Sequence, residues 1–269
     1  MQLVNRFTPT NGKAPSSQEL QTWMDAFHAY GYIVLHNVLT SDQCKTLCAD
    51  LDRVLETEQD NGGGAIELKC RMFESSSANL DLFTQEPLVT FAEYLIDKQC
   101  HVIHNNSFRV KSGKGITTWH QDDPPHYIVT SGTPPTNVHL PVLLFTCNYY
   151  LTDVDSPEFG PTECLPGSHL FGKVCPSTLD GTGLEEETDF CCGKAGTVVC
   201  FNNQVWHRGA LNLSDRVRYI TQISYARRII GHKYFPFMNY QLPADLMEVA
   251  SRNPRLQRLL GFLPSGAYG

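Results

Sequence analysis

Along the first hundred residues the apolar positions recur three and four apart. Ser16-Ser17 followed by Glu19 reads as a capped helix start, and the helix runs through Phe27-His28-Ala29-Tyr30 until Gly31 stops it. Tyr32-Ile33-Val34-Leu35 is strand-like. Thr40 or Ser41 then caps a second helix through Cys44, Leu47, Leu51 and Leu55. Asn61-Gly62-Gly63-Gly64 is a loop, too short to divide the chain into domains. Pro87 starts a third helix, Leu88 to Ile96.

After about residue 100 the pattern changes. Short β-branched and aromatic runs alternate with Gly, Pro, Asn and Asp, which marks candidate strands at 101–111, 140–151, 162–165, 196–202 and 216–227. Further strand-like residues, Ile116-Thr117-Thr118-Trp119, lead up to His120, and Gly196 to Phe201 reads as half of a hairpin turning at Asn202-Asn203. The stretch 123–141 is rich in Pro, Thr, Ser and Gly and reads as a loop or lid. Pro243 to Leu260 reads as a last helix. Helices first and strands second predict a mainly β fold, a sandwich or barrel with the N-terminal helices packed outside.

The 269 residues are 41% hydrophobic, ample for one large core, so the chain reads as a single domain, 1–269. A net charge of −7 argues against a nucleic-acid partner. No apolar run approaches the roughly 20 residues of a membrane span. Met1 to Arg6 has no apolar secretion-signal core, and Gly266-Ala267-Tyr268-Gly269 is not a peroxisomal signal, so the expectation is a cytoplasmic protein. Ten cysteines without a CxxC pair then read as buried thiols rather than disulfides or structural zinc. Oligomeric state is not readable.

The candidate chemistry sits in Trp119-His120-Gln121-Asp122-Asp123-Pro124 and, far downstream, Val205-Trp206-His207-Arg208-Gly209. In an extended chain, residues i and i+2 share a side, so His120 and Asp122 can face one ion with Gln121 turned away. Two imidazoles and one carboxylate can bind one face of an octahedral Fe(II) ion and leave three positions open. Downstream, Arg216, Arg218, Ile220 and Gln222 alternate onto one face of a strand, and parity does not choose between the arginines as a clamp for a carboxylate. Plainer readings exist: Asp122 as a turn residue before Pro124-Pro125, His207 as a core histidine, the arginines as surface charge.

Together these segments resemble the phytanoyl-CoA dioxygenase family of Fe(II)/2-oxoglutarate oxygenases. Trp119-His120-Gln121-Asp122 is similar to the family's HQD segment. Gly160-Pro161-Thr162-Glu163-Cys164-Leu165-Pro166-Gly167-Ser168-His169 is similar to its G-x-T-x-x-x-P-G-S-H segment. Val205 to Gly209, followed by Asn212 to Tyr219, resembles its distal histidine and arginine. The resemblance covers roughly residues 100–228 and implies a double-stranded β-helix, the cupin-like jelly-roll. It implies His120, Asp122 and His207 as iron ligands, and Arg218 rather than Arg216 on the distal carboxylate of 2-oxoglutarate. Asn148, Thr162 and Thr118 are implied as further co-substrate contacts, and His169 as part of a structural turn. An intact Asp122 favours hydroxylation, with O2 as oxidant, over the halogenation of relatives that carry a small residue there. A small-molecule substrate is expected, with Lys111, His126, Arg227 and Arg228 as candidate charges near the pocket mouth. Three other readings remain: a metallo-cupin that does not use 2-oxoglutarate, a non-catalytic small-molecule-binding cupin, and a disulfide-bonded extracellular module.

Overall fold

The computed structural model describes residues 4–57, 66–133, 139–233 and 240–262. The chain opens with β1 (Arg6–Phe7), α1 (Ser17–Tyr30), β2 (Tyr32–Leu35), α2 (Ser41–Thr57), β3 (Glu67–Cys70), α3 (Ser77–Asp81) and α4 (Leu88–Leu95). The helix ends follow local chemistry. The Ser16 hydroxyl accepts the Glu19 N–H while the Glu19 carboxylate takes the Ser16 N–H, and Gly31 closes α1 at φ 82°. Thr40 and Gln43 repeat the exchange before α2.

Next come β4 (His101–Val110), β5 (Leu144–Tyr150), β6 (Thr162–Cys164), β7 (Asp189–Phe190), β8 (Val198–Asn202), β9 (His207–Gly209) and β10 (Arg218–Ala226). Among the described residues they form a seven-stranded sheet, order β1-β2-β8-β5-β10-β4-β3, and a three-stranded sheet, order β7-β6-β9. The central strands β2, β5 and β8 are buried along their whole length, which is why β2 is a continuous apolar run and β5 and β8 break theirs only at Thr146, Asn148 and Asn202. Alternation still sorts the side chains. Ile33, Leu35, Cys147, Tyr149, Val198, Cys200, Ile223 and Tyr225 join a core with Trp23 and Phe27 of α1 and Phe91 of α4. Tyr32, Val34, Tyr150, Val199, Phe201 and Ile220 join a second core with Cys164 of the small sheet. The helices therefore cover one face and the small sheet covers the other. The expected sheet-rich jelly-roll with helices outside is the architecture found.

Several local expectations change. The tail is two helices, α5 (Ala244–Ser251) and α6 (Pro254–Leu259). Pro254 cannot continue a helix from behind and drives Asn253 to φ −133°, where its side chain caps α6. Residues 116–119 are not a strand; beyond Val110 the chain turns and is tied to 209–212 by isolated bonds such as Gly209 N–H to Ile116 O, 2.8 Å. The supposed hairpin at Asn202-Asn203 is a crossing between sheets, because β8 pairs with β2 and β5 while β9 pairs with β6. The 61–64 loop lies outside the described residues. None of the ten cysteines is in a disulfide. Among the described residues no helix is long and apolar enough to cross a membrane.

Candidate metal centre

Residues His120 and His207 are brought side by side by the backbone. His120 N–H donates to His207 O at 3.0 Å and His207 N–H to His120 O at 2.9 Å, an antiparallel bridge that staples the loop after β4 onto β9. The two rings stand 4.3 Å apart between centroids. Each ring meets a carbonyl two residues earlier through Nδ1, His120 to Thr118 O and His207 to Val205 O, both at 2.9 Å. Those bonds leave both Nε2 atoms to face the same space. Asp122 completes the group: its Oδ1 lies 3.7 Å from His207 Nε2, and one ligand atom from each of the three lies within 4.8 Å of the others. No other such group of three occurs among the described residues. Burial holds the His207 imidazole below its ordinary pKa of 6.5, against the pull of Asp122, so the neutral, ligating form is favoured.

The supports come from the turn between β8 and β9. Asp122 N–H donates to Asn203 O at 3.0 Å, and the Asn203 amide holds Asp123 at 2.8 Å. Gln121 faces away, its Oε1 accepting from Cys175 N–H. The Pro166-Gly167-Ser168-His169 turn acts on His207 indirectly. The Ser168 hydroxyl donates to Leu165 O at 2.7 Å and accepts from Trp206 N–H at 2.8 Å, which clamps the residue before His207. The same turn is docked on the end of α1, with Gly167 N–H to Tyr30 O at 2.8 Å and the His169 ring at 3.1 Å from His28 O.

The three residues open into a pocket of about 190 Å³, also lined by Phe108, Asn148, Thr162, Arg218, Ile220 and Gln222. That is below the roughly 300–1,000 Å³ of drug-sized ligand sites, so it suits a compact ligand beside the metal. Arg218 starts β10 with 4% of its surface exposed, and its Nε and Nη1 have no hydrogen-bond partner among the described residues. Desolvation lowers its pKa to about 10, opposed by Tyr150. A buried, unpaired guanidinium is costly and marks a site built for an anion. Gly160 makes room for it: at φ 68°, a Cβ there would stand 2.9 Å from Arg218 Nη1 and 2.7 Å from Ala210 O.

The remaining sequence candidates scatter. Asn148 and Thr162 line the pocket, joined by Asn148 Nδ2 to Thr162 Oγ1 at 3.2 Å. Thr118 does not line it; its side chain is exposed because 116–119 bends, and it serves His120 through its carbonyl. Arg216 precedes β10 and lies over the Phe159 ring at 4.4 Å. Lys111 pairs with Glu67 at 3.3 Å, and Arg227 and Arg228 follow the far end of β10 from Arg218. His126 lines a separate pocket with Tyr127, Asn202 and Gln204. Residues 123–133 run past that pocket, where Val129 N–H meets Gly172 O, and none lines the metal pocket; 134–138 of the expected lid lie outside the described residues. Pocket residues without a role in the sequence reading are Phe108, Ile116, Arg208, Gly209, Ile220 and Gln222. Only Ile220 and Gln222 carried a signal, their parity with Arg218.

The family model for phytanoyl-CoA dioxygenase (PhyH) matches residues 27–220. Among solved structures, the chain is similar to HygX from Streptomyces hygroscopicus, crystallised with nickel and 2-oxoglutarate. The identity is 16% over 81% of this chain and 90% of that one, with a TM-score of 0.65. It is similar to the epimerase SnoN, in complex with Fe3+, alpha-ketoglutarate and nogalamycin RO, at 18% identity over 85% and 94% (TM-score 0.64). It is also similar to the carbocyclase SnoK of nogalamycin biosynthesis, at 18% over 82% and 87% (TM-score 0.61). At these identities the likeness is one of fold.

Proposed function

Because this chain belongs to the phytanoyl-CoA dioxygenase family, we propose that it is an Fe(II)/2-oxoglutarate-dependent dioxygenase that hydroxylates an unactivated C–H bond of a small-molecule metabolite. The observation that carries this reading is the unpartnered, buried Arg218 guanidinium in the same pocket as His120, Asp122 and His207. A metallo-cupin with no anionic co-substrate has no use for that charge.

His120 and His207, through Nε2, and Asp122, through its carboxylate, would hold the metal. The fit is supported by donor type, one carboxylate and two imidazoles, and by their convergence within 4.8 Å. Bound iron and 2-oxoglutarate supply O2 activation; the balance is substrate C–H, O2 and 2-oxoglutarate going to C–OH, succinate and CO2. Arg218 pairs with the distal carboxylate of 2-oxoglutarate, and Thr162 and Asn148 contact the same molecule. Phe108, Ile116 and Ile220 give the pocket an apolar wall that excludes water. Hydroxylation is the favoured outcome because Asp122 fills the third protein position. The epimerase and carbocyclase of this fold leave stereochemical inversion and ring closure as the competing outcomes.

The test is anaerobic addition of Fe(II), then 2-oxoglutarate, to metal-free protein. A broad visible charge-transfer band that needs both components and is absent in His120→Ala supports chelation at this site. Confirmed iron binding with no band would move the protein to the metallo-cupins that use no 2-oxoglutarate. Gly160→Ala offers a second check. Its Cβ meets backbone on one side and Arg218 on the other, at a φ that disfavours side chains, so a destabilisation of about 1–3 kcal/mol is expected. Weaker 2-oxoglutarate binding by titration should accompany it, because the guanidinium must shift.

A further inference from the structure

The metal pocket contains a run of side-chain hydrogen bonds that crosses both sheets. His104 of β4 meets Gln222 of β10, Nε2 to Oε1, at 2.9 Å. Gln222 Nε2 donates to Asn148 Oδ1 of β5 at 2.9 Å; the two residues are paired in register. Asn148 Nδ2 donates to Thr162 Oγ1 of β6 at 3.2 Å. Thr162 lies opposite Gly209, whose Cβ position is 3.7 Å from Arg218 Nη2. Gln222, Asn148, Thr162 and Arg218 all line the pocket.

This run has a direction, because an amide has distinct ends. With the Gln222 oxygen turned to the His104 N–H, its nitrogen donates to Asn148, whose nitrogen in turn donates to Thr162. A hydroxyl has one proton and two lone pairs. Thr162 already accepts, so its proton remains for a partner in the pocket that Arg218 also lines. Reversing both amides would make Thr162 donate to Asn148 and present only lone pairs to an anion. The order in the structure, Gln222 Nε2 to Asn148 Oδ1 and Asn148 Nδ2 to Thr162 Oγ1, requires the His104 tautomer that carries its proton on Nε2 and donates to Gln222 Oε1.

We propose that His104 and Gln222 are positioning residues that set the direction of this hydrogen-bond run, so that the Thr162 hydroxyl donates its proton to the carboxylate paired with Arg218. This rests on the dioxygenase reading for the identity of that carboxylate, the distal one of 2-oxoglutarate. His104 stands behind the pocket lining, and both residues act on the Thr162 proton through Asn148.

The experiment is calorimetric titration of 2-oxoglutarate into Mn(II)-loaded protein, without turnover. Thr162→Val should weaken binding about 10-fold or more, as expected for a hydrogen bond to a charged group. Gln222→Met, which keeps length and removes both polar atoms, should weaken it about 5- to 10-fold while Mn(II) affinity stays unchanged. In the Thr162→Val background, Gln222→Met should cause no further loss, because the proton it orients is gone. His104→Phe, which removes the donor, should match Gln222→Met. Parent-like binding by Gln222→Met, or an equal loss in the Thr162→Val background, overturns the proposal and leaves the dioxygenase reading standing. A parent protein that takes up Mn(II) but binds no 2-oxoglutarate overturns both.

Discussion

Arg218→Met should give a protein that is more stable than the parent without ligand and nearly blind to 2-oxoglutarate. The two effects have one cause. In the ligand-free protein the guanidinium is buried with two nitrogens unpartnered, and its lowered pKa reports the cost of keeping it charged there. Methionine fills much of the same volume and needs no partner, so the metal-free, ligand-free protein should gain on the order of 1–3 kcal/mol. With 2-oxoglutarate present the ranking should reverse. Removing one member of a buried, hydrogen-bonded charge pair costs about 2–5 kcal/mol, or roughly 30-fold and more in affinity. Thermal melts with and without Mn(II) and 2-oxoglutarate read both effects. A variant less stable than the parent when ligand-free, yet still stabilised by 2-oxoglutarate, would mean that Arg218 serves packing.

Asp122→Ala is the cleaner of the ligand substitutions. His207 is buried against Phe201, with ring centroids 4.4 Å apart, so truncating it confounds metal loss with a cavity. Asp122 is the exposed member of the three, and its backbone N–H, not its side chain, holds the loop to Asn203. The ligand-free stability of Asp122→Ala should stay within about 0.5 kcal/mol of the parent. Fe(II) affinity should fall well beyond the 10- to 100-fold that loss of an outer hydrogen bond causes, since one of the three proposed protein ligands is gone. The rise in melting temperature on adding Fe(II) should vanish with it. Metal competition with a coloured chelator measures the affinity directly; retention of parent-like Fe(II) binding would place the metal elsewhere.

How much of this was legible in the chain depends on how local each feature is. The Ser16–Glu19 exchange, the Gly31 stop and the start of a helix at Pro87 depend on contacts within a turn, and they stand where the residues put them. His120 and Asp122 share a side, as their i, i+2 spacing suggests, although the strand expected to carry them is a bent loop. Their common orientation comes instead from the bridge to His207 and the bond to Asn203, partners some 80 residues away in the chain. The tail is split at Asn253-Pro254 by a local breaker, since proline ends one helix and Asn253 caps the next.

Sequence alone determined the sheet-rich architecture and the residue types at His120, Asp122, His207 and Arg218. Each of these is set by neighbours a few bonds apart or by composition. Only the tertiary structure decided that β9 leaves the large sheet for the small one, that Arg218 is enclosed without a partner, and that His104 reaches Thr162 through Gln222 and Asn148. Burial and hydrogen-bond pairing are sums over strands remote in the chain, and no local pattern carries that information until the sheets have closed on each other.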